Sequence, residues 1–140
     1  MFTAINNGFA RFVDGPNAGK LLLRLTFGIL MLFHGYAKTQ HGVGWIADLL
    51  QSHGLPGFIA YGAFIGEIIA PIMIIVGFMT RLAGFIFAFN LLVATLLVGM
   101  GHFYKLTEVG AWALETEALY FFGGLIIMLV GPGKYAVMKN

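Results

Sequence analysis

Four apolar stretches dominate this sequence, at about 21–40, 56–78, 82–100 and 112–130. An α-helix needs roughly 20 largely apolar residues to cross a bilayer, and each stretch comes close to that length or exceeds it. Helices are the natural form for such stretches, because backbone groups in hydrocarbon must be hydrogen-bonded within the segment itself. Composition points the same way: 59% of the chain is hydrophobic and only 10% charged, against about 25% charged in an average soluble domain. A chain of 140 residues has room for one domain. Folded in water it would bury only about two-thirds of its surface, too little to hide this much apolar area. The expected fold class is therefore an all-α membrane protein, a four-transmembrane-helix bundle forming a single domain over 1–140.

The connecting segments carry their own signals. Phe2, Ile5, Phe9, Phe12 and Val13 recur at helical spacing around Asn6, Asn7 and Arg11, which predicts an amphipathic helix over 1–14 lying on the membrane surface. Asp14-Gly15-Pro16-Asn17 should break it. Residues 1–20 lack the continuous apolar core of a signal peptide. Trp45, Ile46, Leu49 and Leu50 predict a second interfacial helix, with Trp45 at the headgroups. Met79-Thr80-Arg81 reads as a short turn, and Gly131-Pro132-Gly133 as the stop after the fourth span. The loop Gly101–Ala111, with His102, Tyr104, Lys105 and Glu108, reads as interfacial. Arg11, Lys20, Arg81, Lys134 and Lys139 fall on one side, against Lys38 and Lys105 on the other, which predicts both termini in the cytoplasm. The chain has no cysteine, excluding a disulfide scaffold and a CxxC redox motif within it. Its scattered Lys and Arg form no nucleic-acid patch.

Ionisable groups within membrane helices are costly and are functional candidates by default. Arg24, His34, Glu67, Asn90, Glu115 and Glu117 sit inside the spans, with Lys38 at an edge. At about 1.5 Å per residue from the cytoplasmic ends, His34 lies roughly 20 Å up, Glu67 about 16 Å, Asn90 about 13 Å and Glu117 about 21 Å. Four helices thus each bring a polar group to one layer, and His34, Glu67, Asn90 and Glu117 are the candidate ligand pocket. Arg24, Lys38, His102 and Glu115 are secondary candidates. Each has a structural alternative. Arg24 reads equally as a side chain snorkelling to the headgroups, Lys38 and Lys105 as interfacial anchors, Asn90 as an interhelical hydrogen-bonding group, and Glu115 as a carboxylate favoured by the helix dipole. Pro71 removes the α-helical donor for the Glu67 carbonyl. A metal held by His34, Glu67 and Glu117 is conceivable, but no tight His/Glu ligand pattern is present. Arg24-Leu25 and Arg81-Leu82 open the first and third spans, a faint hint of two related hairpins.

Leu22-Leu23-Arg24-Leu25 with Gly28, His34-Gly35-Tyr36-Ala37-Lys38, Gly66-Glu67 with Pro71, Gly77 through Thr80-Arg81, Glu117-Ala118 and Gly131-Pro132-Gly133-Lys134 together resemble the DoxX family of small bacterial membrane proteins. The likeness runs from about Lys20 to Val137. One departure is the tail Lys134–Lys139, which lacks the acidic residue common in the family. The resemblance implies a four-helix protein of the bacterial cytoplasmic membrane. It also implies a link to quinone, sulfur or oxidative-stress metabolism through soluble or membrane partner proteins. Fold likeness does not by itself carry function.

Three expectations follow. The leading one is a membrane subunit or partner of a redox system, whose polar pocket takes a quinone-like ligand, although the chain holds no cofactor motif. The second is a non-catalytic scaffold. The third is a small transporter, for which four short helices would need a homo-oligomer.

Overall fold

The computed structural model describes residues 1–99 and 113–139. His102, Lys105 and the rest of the expected interfacial loop lie outside the described residues, as does Trp112 at the expected start of the fourth span. Among the described residues the chain is helical and contains no strand. Helix α1 is Phe2–Val13, α2 is Pro16–His41 and α3 is Gly44–Ser52. Helix α4, Gly57–Val76, opens as a 3₁₀ turn and changes to a π turn at Ile65–Ile69. Helix α5 is Thr80–Ala94, continued by a π turn over Thr95–Gly99, and α6 is Glu115–Val130.

Three helical segments are long and apolar enough to cross a membrane: Pro16–His41, Gly57–Val76 and Thr80–Leu97. Helix α6 occupies the fourth expected stretch with 16 residues. Two boundaries differ from the sequence reading. Pro16 and Asn17 are not part of the break but open α2, where proline suits the first helical position because no intrahelical donor is needed there. Thr80 and Arg81 are likewise helical. The turn is Gly77–Met79, made by left-handed backbone at Gly77 (φ 80°) and Met79 (φ 46°), and Met79 is a residue type that rarely signals such a conformation.

Close packing of α5 on α6 passes through two glycines. A Cβ on Gly84 would stand 2.8 Å from the Gly124 carbonyl oxygen, and one on Gly124 would stand 2.9 Å from that of Gly84, so only bare backbone allows this approach. The core gathers Met31 of α2, Ala70 and Ile74 of α4, Ala83, Phe87 and Leu91 of α5, and Tyr120 and Ile127 of α6. A smaller cluster of Val43, Leu50 and Ala60 docks α3 on the start of α4. Helix α1 buries no residue, leaving Phe2, Ile5, Phe9 and Phe12 exposed.

One end of the fold is tied by arginine. The last carbonyls of any helix lack intrahelical donors, and Arg24, only 1% exposed, supplies them across α4 and the tail. Its Nε donates to Ile74 O at 2.8 Å and its Nη2 to Ile75 O at 2.9 Å, while Nη1 donates to Pro132 O and Tyr135 O, both at 2.8 Å. The tail then lies along α4's end, with Val137 N–H donating to Val76 O and Met138 N–H to Gly77 O. Arg81 repeats the device on α6, its Nη1 donating to Met128 O and Leu129 O at 3.0 and 2.8 Å.

Candidate functional site

Away from the arginines, the middle of α4 departs from α-helical form at the position that carries its carboxylate. Glu67 lies in the π turn, where Ala70 N–H reaches back to Ile65 O. Pro71 has no N–H to offer the Glu67 carbonyl. Gly35 of α2 packs directly on that carbonyl, and any Cβ there would collide with it. One residue earlier, Gly66 lies against the Asn90 side chain of α5. Single-turn π segments recur at functional sites because they rotate a side chain out of helical register. Here the rotated residue is Glu67, 7% exposed.

Lys38, four residues beyond His34 on α2, reaches this carboxylate. Its Nζ donates to Oε1 at 3.0 Å and stands 2.9 Å from Oε2 as an ionic contact. The pair is largely but not wholly buried, the lysine more exposed than the glutamate. His34 is exposed toward one side and meets the Tyr120 ring edge-on, with centroids 5.5 Å apart.

These groups border a cavity of about 450 Å³, lined by residues of α2 through α6, a size within the usual range for small-molecule sites. His34, Glu67, Asn90 and Glu117 all line it, and so does Lys38. Most of the remaining wall is apolar, including Met31, Trp45, Ile86 and Leu91. Thr95, Thr116 and Tyr120 add hydroxyls that sequence reasoning missed. A signal existed for Tyr120, which is three residues after Glu117 and so lies on the same helix face. The other candidates lie elsewhere. Arg24 is fourteen residues from Lys38, about 21 Å along α2, and spends its donors on backbone instead of snorkelling to headgroups. Glu115 is exposed in the first turn of α6, and His102 lies outside the described residues. Among the described residues no three His, Asp or Glu side chains are grouped as metal ligands would be.

Residues 19–100 match the DoxX family model, which is more than half of the chain. The chain belongs to the DoxX family. It is also 39% identical over 80 residues to a Bacillus subtilis (strain 168) protein named "Putative oxidoreductase CatD", an alignment covering 57% of this chain and 59% of that protein. The chain thus spans less than two-thirds of the curated relative's length. No solved structure matches the chain. Family membership and three apolar helices together make this a membrane-embedded protein.

Proposed function

We propose that this DoxX protein is a multi-pass protein of the bacterial cytoplasmic membrane, with α6 as a fourth span and both termini cytoplasmic. In that membrane it serves as a subunit or partner of a redox system and holds a quinone-like molecule in the cavity beside Glu67. The single observation carrying the reading is the convergence of Lys38, Glu67, Asn90 and Glu117, from four different helices, on one largely apolar cavity. A ring-bearing lipid fits such a wall, with polar groups to orient its oxygens and exchange protons. The oxidoreductase name of the Bacillus subtilis relative supports the redox theme.

Binding by the full chain in lipid nanodiscs tests the proposal. The probe is a short-chain benzoquinone, offered in its oxidised and its reduced form. At least one form should bind saturably, and Glu67→Gln should weaken it by about tenfold, the scale of one charge-assisted hydrogen bond. No binding of either form by the wild-type protein would end this reading.

A second reading, a non-catalytic scaffold, is favoured by one observation: a sequence without cysteine offers no thiol to carry electrons. Co-purification separates the two. A partner enzyme retained by the Glu67→Gln protein, with neither quinone form bound, would establish the scaffold.

A further inference from the structure

The two carboxylates of the cavity are not equally provided for. Both oxygens of Glu67 face the Lys38 ammonium, at 3.0 and 2.9 Å, so that although Oε2 has no hydrogen bond among the described residues, the carboxylate has a cation beside it. Glu117 Oε2 is buried and has no hydrogen-bond donor among the described residues. A buried acceptor left without a donor is costly, and native structures rarely tolerate one unless something else occupies the place. Glu117 borders the cavity, so what fills the cavity is positioned to supply that donor.

The rest of the wall describes the body of the same molecule. It is mostly apolar, and several of its residues also reach the outer surface, among them Ile65 of α4 at 48% exposed and Phe89 of α5 at 55% exposed. The cavity therefore meets the lipid-facing side between α4 and α5, a route for a molecule dissolved in the bilayer. Against the ionised form of Glu117, which can only accept, a carbonyl-only head would set acceptor against acceptor. A head with an O–H would satisfy the oxygen.

We infer that Glu117 makes the cavity selective for a lipid-soluble ligand whose polar head donates a hydrogen bond. Combined with the redox reading above, on which this inference rests, the favoured form is the reduced, hydroxyl-bearing quinol, not the oxidised quinone. Glu117 is then a specificity residue, and the Lys38–Glu67 pair beside it contributes the binding that the oxidised and reduced forms share.

Three probes with one carbon skeleton test this on the wild-type protein in nanodiscs, under anaerobic conditions: a short-chain benzoquinone, its quinol, and the dimethyl ether of that quinol. The quinol should bind at least about tenfold tighter than either donor-free probe, in line with a hydrogen bond to a charged group. Glu117→Leu should erase that preference by weakening only the quinol. Glu117→Gln, which keeps an acceptor oxygen but not the charge, should retain part of it. Equal binding of all three probes by the wild-type protein would overturn the inference while leaving quinone binding in place, with water as the donor to Glu117. Tighter binding of the oxidised form would overturn it as well. Failure of every probe would instead remove the underlying reading.

Discussion

The two ends of the packed helices solve the problem of polar groups in an apolar chain in opposite ways. At the arginine end, Arg24 is almost fully enclosed, and all its hydrogen bonds go to backbone carbonyls of α4 and of the tail. Helix geometry there is regular up to the ends, where Gly77 with Met79 turns the chain after Val76 and Gly131 turns it after Val130. In the other half, α4 and α5 each break into a π turn, and a carboxylate oxygen of Glu117 has no donor among the described residues. A cavity opens where the core would otherwise continue. At the arginine end the buried Thr80 hydroxyl lacks a partner among the described residues, but the helix-end carbonyls that Arg24 reaches are paired, and that pairing contributes stability. Unfinished hydrogen bonding beside empty volume leaves room for a ligand, at the expense of stability.

The sharpest way to break this contrast is to truncate one polar residue at each end. Arg24→Leu strands four backbone carbonyls, two of them at α4's terminus, each costing about 1–3 kcal/mol when buried and unpaired. The expected loss is about 4 kcal/mol or more, enough to remove most folded protein from a detergent extract. Glu117→Leu removes an acceptor that has no donor among the described residues, so its stability should stay within about 0.5 kcal/mol of wild type. Thermal unfolding in detergent measures both. Similar losses at the two positions would mean that the division between a stabilising end and a binding end is wrong.

Gly35 tests where the two regimes meet. Its missing side chain lets α2 lie on the Glu67 carbonyl, and the obstacle to a Cβ is backbone, which has little freedom to move aside. Gly35→Ala should push α2 from α4 at the Lys38–Glu67 level and cost about 1–3 kcal/mol, as overpacking usually does. The same unfolding assay reads it. A neutral Gly35→Ala would show that α2 and α4 are not held at this distance.

How much of this was legible beforehand depends on whether the signal is local. Apolar length sets the spans, so the stretches around 21–40, 56–78 and 82–100 could be read directly. Helix ends were less clear, because the turn at Gly77–Met79 uses left-handed backbone at a methionine, which the sequence does not announce. Depth arithmetic placed His34, Glu67, Asn90 and Glu117 in one layer, and in the structure all four border one cavity. The partner of Glu67 was harder to see. Lys38 comes out near an edge when depth is counted along the helix axis, but its long side chain turns back toward the middle of α4. Arg24 was hardest, because its partners are carbonyls 50 or more residues away, and carbonyls leave no trace in residue identity.

Arg81 gives the smallest and most discriminating effect. Like Arg24 it precedes a leucine on a long helix and donates to the last carbonyls of the helix beside it, here Met128 and Leu129 of α6. The faint sequence echo between Arg24-Leu25 and Arg81-Leu82 thus has a shared physical content, two helix ends each held by an arginine from a neighbouring helix. The difference is exposure, since Arg81 is exposed and water can take over the carbonyls it leaves. Arg81→Ala should therefore cost about 0.5–1 kcal/mol, near the net worth of an ordinary hydrogen bond, with ligand binding unchanged. Measured beside Arg24→Leu, it separates the number of bonds from the burial that makes them matter. A loss at Arg81 as large as that at Arg24 would mean that capping the helix, not excluding water, is what the arginines contribute.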